Sequence, residues 1–82
     1  MNYFVYILTC ADDTLYTGIT DNLEKRIAAH NSGKGARYTS GRRPVTLAHQ
    51  EVRADKSAAL RRELEIKKMT RDKKLRLIAA AR

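Results

Sequence analysis

Cysteine is nearly absent from this sequence: Cys10 stands alone among 82 residues. A single thiol closes no intramolecular disulfide and rules out a multi-cysteine zinc site, which suits a reducing compartment. Long apolar runs are missing too. No stretch approaches the roughly 20 residues that span a bilayer. The opening MNYFVYILTCA has an apolar run ending in a small residue, as a signal peptide does, but it has no basic leader. Its β-branched and aromatic residues read as a first strand, so the expectation is a soluble cytoplasmic protein. Proline occurs once and glycine four times, and all but Gly18 fall in residues 31–44. There is no repeat, linker or low-complexity tail, so 1–82 reads as a single small domain. A chain this short buries only roughly 60–65% of its unfolded surface, which makes for a thin core.

Acidic residues are also scarce relative to basic ones. Nine Asp and Glu face seventeen Lys and Arg, a formal net charge of +8. That balance favours polyanion partners, nucleic acid first and anionic membrane second. An amphipathic helix with large apolar residues on one face is lacking, which argues against the membrane. Charge names no chemistry.

The elements follow from local pattern. NYFVYILTC is a buried strand, ADDT is turn chemistry, and LYTGI resumes as a second strand, so the pair forms a hairpin. Asp21 and Glu24 have the spacing of an N-cap and N3 pair, predicting a helix from about Asn22 to Asn31. NSGKGARYTSGRRP is a basic loop. VTLAHQEV alternates as a third strand, DKSAALRRELEIKKM is helical with Asp55 or Ser57 as its cap, and TRDKKLRLIAAA is a second, shorter helix capped by Thr70. The fold class is α+β: a small three-stranded antiparallel sheet flanked by helices, order ββαβαα.

Three sets of residues are candidates for chemistry. Tyr6 and Tyr16 lie on neighbouring strands of one sheet, although tyrosine is a good strand residue without any further role. Arg26 and His30 share a helix face at i,i+4, which is the ordinary pattern of a solvated face. Glu63 falls on a helical wheel between Ala59 and Ile66 on one side and Leu60 and Leu64 on the other. A carboxylate in an apolar stripe needs compensation. Lys67 at i+4 offers it, and so would a bound cation; spacing leaves both open.

The segments FVYIL, LYTGIT, NLEKRIAAHN and AALRRE, in this order, resemble the GIY-YIG nuclease superfamily from about Tyr3 to Ile78. The resemblance is nearest to the small single-domain bacterial branch, near the catalytic domain of structure-specific endonucleases of the Slx1 type. HNSGKGARYTSGRRPVTLA supports that branch, through an HN-(S/G)-G-K start followed by Y/R-T-S-G-R. The namesake triplets read Phe4-Val5-Tyr6 and Tyr16-Thr17-Gly18, so both tyrosines and the glycine are kept while apolar or small strand residues replace the rest. The expectation is a domain without an appended zinc-binding or DNA-targeting unit, and with it a protein partner that supplies substrate specificity.

The resemblance implies a metal-dependent DNA endonuclease that hydrolyses phosphodiester bonds, acting on branched or otherwise irregular structures, with Mg²⁺ or Mn²⁺ as cofactor. Carried over residue by residue, Tyr6 and Tyr16 flank the attacking water, Arg26 holds the scissile phosphate, His30 assists and Glu63 binds the divalent ion. A tyrosine with a pKa of about 10 is only ~0.1% ionised at pH 7, whereas His30 starts near 6.5. The general base is therefore open among Tyr6, Tyr16 and His30. Lys34, Arg37, Arg42 and Arg43 would contact the DNA backbone, and Tyr38 would stack on an unpaired base. His49 matches no motif and reads as structural. The alternative is a catalytically weak or inactive nucleic-acid-binding module of the same fold.

Overall fold

In a computed structural model, which describes residues 2–81, the chain forms two strands, β1 (Tyr3–Thr9) and β2 (Leu15–Thr20), then helix α1 (Leu23–Asn31). A single turn, α2 (Arg37–Ser40), precedes β3 (Thr46–Arg53) and helices α3 (Lys56–Lys67) and α4 (Arg71–Ala80). The expected order ββαβαα holds, with α2 inserted where the glycine content pointed to loop alone. The sheet is antiparallel in the order β2-β1-β3. Val5 pairs with Ile19 and Glu51, and the register against β3 shifts by one residue between Ile7 and Leu8.

The two-residue period of β1 supplies both halves of the core. Val5 and Ile7 pack with Ala59, Ile66 and Ile78 on the face covered by α3 and α4. Tyr6 and Leu8 point the other way and pack with Cys10, Val45, Tyr16, Leu23 and Ile27 beside α1. A fully buried side chain of this size is worth roughly 1.5–3 kcal/mol. Tyr6 is thus held as firmly as any core residue while carrying a hydroxyl into the α1 side.

Three caps set the helix starts. The Asn22 side chain accepts from Lys25 N at 3.1 Å, the Asp55 carboxylate from Ala58 N at 2.8 Å, and Thr70 Oγ1 from Lys73 N at 3.2 Å. Asp55 and Thr70 are the expected caps. Asp21 is not: Thr20 Oγ1 accepts from Asn22 N at 3.1 Å, fixing the chain so that the next residue faces the helix. At the far end of α1, Gly33 takes φ +83°, a left-handed turn that glycine adopts without strain. Asn31 then accepts from Val45 N at 2.7 Å and donates to Val45 O at 3.1 Å, tying α1 to the approach to β3. No helix among the described residues is long and apolar enough to cross a membrane.

Candidate active site

Gly18 lies opposite Tyr6 in the β1–β2 ladder. A Cβ there would stand 2.6 Å from Tyr6 Oη, 2.8 Å from its Cζ and 3.2 Å from Tyr16 Cε2. The missing side chain is what lets the Tyr6 phenol extend across the neighbouring strand. Tyr16, two residues earlier on β2, projects on the same face with its ring centroid 6.4 Å from that of Tyr6. The expected pairing of the two tyrosines therefore holds in space.

His30 meets them from α1. Its Nε2 is 2.9 Å from Tyr6 Oη, and its ring lies edge-on to Tyr16 at 5.2 Å between centroids. It is fully buried. Burial pushes the imidazole pKa below its ordinary value and the Arg26 charge adds to that, so His30 is neutral at pH 7. Burial also raises the Tyr6 phenol above 10, with Tyr16 and Glu63 acting in the same direction. Arg26, as hydrogen-bond donor and as charge, pulls Tyr6 downward without cancelling the rise. Arg26 itself is half-buried, one turn before His30, and enters no ion pair among the described residues. Its guanidinium is available to an anion.

Glu63 reaches the same locality from α3, since its charge bears on Tyr6. Its surroundings differ from the expected apolar stripe. Ala59 and Ile66 are fully buried, but Leu60 and Leu64 are 46% and 55% exposed. Glu63 therefore sits at the border of the buried line, with its side chain 18% exposed. Lys67 Nζ lies 3.5 Å from its Oε2, beyond the 2.7–2.9 Å of a tight charge-assisted hydrogen bond.

No group of three or more His, Cys, Asp or Glu among the described residues is placed to hold a metal ion. A single hard carboxylate such as Glu63 fits an ion such as Mg²⁺, which keeps several waters and takes phosphate oxygens as further ligands.

The basic loop divides in two. Arg42 donates from Nε to Asp12 at 2.9 Å and from Nη1 to Tyr38 O at 2.8 Å, with its guanidinium 4.1 Å over the Tyr38 ring. Arg43 donates to Ser40 O at 2.9 Å and to Asn31 O at 3.4 Å. Arg42 thus holds the loop to itself and to the β1–β2 turn, and Arg43 holds it to itself and to the end of α1. Lys34 and Arg37 are exposed and enter no ion pair or side-chain hydrogen bond among the described residues. Tyr38 is already stacked on Tyr16, at 5.8 Å and 29° between ring planes.

Two features were invisible at the sequence level. Thr39 is fully buried with Oγ1 2.7 Å from His30 Nδ1; it sits inside YTSGR but carries no signal apart from that motif. Glu51 gathers His49 Nε2 at 2.7 Å, Arg53 at 2.7 Å and Arg62 at 2.8 Å, clamping α3 to β3. Burial alone would raise the Glu51 carboxyl, but hydrogen bonds from Arg62 and His49 and the charges of Arg62 and Arg53 hold it down to about 2. His49 belongs to this clamp, as its structural reading expected.

Residues 2–76 match the model of the GIY-YIG catalytic domain. A UPF0213 protein of Natronomonas pharaonis is 56% identical over 78 residues, covering 95% of this chain and 92% of that protein. One from Clostridium perfringens is 59% identical over 80 residues, covering 98% and 85%. The solution structure of a UPF0213 protein from Bacillus halodurans is 45% identical and superposes with a TM-score of 0.64, over 98% of this chain and 85% of that one. The chain therefore belongs to the GIY-YIG catalytic domain family, among its small UPF0213 members.

Proposed function

We propose that this protein is a metal-dependent DNA endonuclease, selective for irregular DNA structures, that hydrolyses phosphodiesters at the site formed by Tyr6, Tyr16, Arg26, His30 and Glu63. The observation that carries the reading is the 2.9 Å contact between Tyr6 Oη and His30 Nε2 beside Arg26, which enters no ion pair among the described residues. Any buried tyrosine hydroxyl needs a hydrogen-bond partner; what favours chemistry here is that the partner is a titratable imidazole and that the charge of Arg26 bears on the same phenol. Family membership supports the chemistry.

Arg26 presents a planar fork to the non-bridging phosphate oxygens and keeps its charge throughout. The phenol of Tyr6 is raised, so its phenolate is scarcely populated at neutral pH. It acts as base by passing its proton to neutral His30 Nε2 as it takes one from water. Tyr6 is neutral again once both protons have moved. Arg26 favours the partial negative charge on Tyr6 Oη as its proton leaves, and the dianionic transition state stabilises the imidazolium so formed. After cleavage the imidazolium returns its proton to Tyr6 as Tyr6 releases one to solvent, and the leaving oxygen takes its proton from water. Tyr16, whose hydroxyl makes no hydrogen bond among the described residues, flanks the attacking water. Glu63 would hold the divalent ion, Mg²⁺ or Mn²⁺, which supplies charge neutralisation at the phosphate and leaving oxygen. Lys34 and Arg37 would follow the DNA backbone.

Lys67 beside Glu63 favours a second reading, a binding module whose carboxylate is compensated from within. Labelled single-stranded, duplex and branched DNA incubated with the protein in Mg²⁺ and in chelator separates the two. Cleavage that needs Mg²⁺ and is lost in Glu63→Gln supports the nuclease. Binding without cleavage on every substrate supports the module.

A further inference from the structure

The imidazole of His30 is bonded on both sides, and the second partner lies outside the five residues above. Nδ1 is 2.7 Å from Thr39 Oγ1, and that hydroxyl donates onward to Ala36 O at 3.0 Å. A threonine hydroxyl has one proton. With it directed at a carbonyl, which only accepts, the short contact to His30 favours the proton on Nδ1. The Ala36 amide, at 3.4 Å from Nδ1, is the weaker competitor for that edge. A neutral imidazole protonated at Nδ1 leaves Nε2 bare, and Nε2 faces the Tyr6 hydroxyl at 2.9 Å.

Gly35 closes the other side. A Cβ there would stand 2.7 Å from His30 Cγ and 2.8 Å from its Cα, and would overlap Nδ1 as well. The backbone of the glycine-rich loop therefore lies directly against the ring. Thr39, fully buried on α2, is delivered by the same loop. The single turn α2 is thus more than a spacer between α1 and β3, because it brings the one side chain that selects the proton-bearing nitrogen.

We propose that Thr39 is a positioning residue: by accepting from His30 Nδ1–H it holds the imidazole in the tautomer whose bare Nε2 takes the Tyr6 proton, while Gly35 leaves the space for that ring. The catalytic consequence rests on the nuclease reading, whereas the tautomer does not. In the opposite tautomer Nε2–H would donate to Tyr6 and no base would face the phenol. Orienting partners of this kind are typically worth ten- to a hundredfold, and the wrong imidazole tautomer can cost far more.

The test is the ¹⁵N tautomer signature of His30, assigned separately from His49, in wild type, Thr39→Val and Thr39→Ser at a pH where the ring is neutral. Wild type is expected as Nδ1–H, Thr39→Ser likewise, and Thr39→Val shifted toward Nε2–H. Under single-turnover conditions Thr39→Val should lose about ten- to a hundredfold in cleavage rate with DNA affinity within a few fold, and Thr39→Ser should restore most of the rate. Wild-type His30 found as Nε2–H overturns the proposal, even where Thr39→Val fails to fold. An unchanged tautomer in folded Thr39→Val overturns it as well. The expected tautomers in a protein that cleaves no DNA would leave Thr39 as positioning residue and refute the nuclease reading instead.

Discussion

The Tyr6 hydroxyl and His30 Nε2, 24 residues apart in the chain, lie 2.9 Å from one another inside the core. Both side chains are buried, at 1% and 0% exposure. Their neighbours move them in opposite directions: the phenol is harder to ionise than in water and the imidazole harder to protonate. The two shifts widen the gap between their proton affinities, so at rest the proton stays on Tyr6, and its transfer along this contact depends on the charge that develops in the transition state.

Tyr6→Phe and His30→Gln should each lower single-turnover cleavage by about 10²–10⁴, the range for general acid–base catalysis. If the two act as one unit, the double variant should be about as slow as the worse single variant. Losses that multiply would mean two independent roles.

Gly18→Ala tests the geometry that admits Tyr6. A Cβ 2.6 Å from Tyr6 Oη forces the ring to move. Overpacking of this kind costs about 1–3 kcal/mol, which thermal unfolding would register, and cleavage should fall to the level of Tyr6→Phe. Gly18 is not among the residues with positive φ, so the cost is steric and not conformational. A variant with full activity and unchanged Tm would show that the Tyr6 position is not critical.

Salt dependence should sort the basic loop. The slope of log K against log[salt] is about −0.9 per phosphate neutralised. Lys34→Ala with Arg37→Ala should flatten it by about 2. Arg42→Ala and Arg43→Ala should change it less and lower Tm more, because those side chains bond Asp12, Tyr38, Ser40 and Asn31. The reverse ranking would move the DNA path to the Arg42 side.

Glu51 predicts an acid-sensitive clamp. Its folded-state pKa is held down to about 2, below the ordinary 4.5. The stability it contributes is therefore fully present above pH ~4.5 and is lost as pH falls through about 2. Glu51→Gln should cost about 1–3 kcal/mol near neutral pH, the penalty for unpairing half-buried polar groups. The difference in Tm from wild type should narrow between about pH 5 and pH 2. A constant difference across that range would assign the loss to packing.

The hairpin and both later helices were legible because each rests on local pattern, and the five candidate site residues were picked out by motif. Alternation marks β1, capping marks Asp55 and Thr70, and the tyrosines, Arg26, His30 and Glu63 fall at motif spacing. What was not legible depends on partners distant in the chain. Asp21 and Asn22 are equally good caps by residue type, and only the Thr20 hydroxyl decides between them. Leu60 and Leu64 look buried on a wheel, but the sheet covers only the Ala59–Ile66 line. Arg42 and Arg43 look free beside their glycines until Asp12, 30 residues earlier, is brought to meet one of them. Thr39 is unremarkable until His30 folds onto it.

The central claim is that Arg26 acts on the transition state of a phosphodiester cleavage. The direct measurement is the single-turnover rate and DNA Kd of Arg26→Ala beside wild type, in Mg²⁺, on the best-cleaved substrate. A rate lower by about 10²–10³ with Kd within a few fold is the predicted result. A variant that cleaves like wild type, or one whose loss lies entirely in Kd, would contradict it.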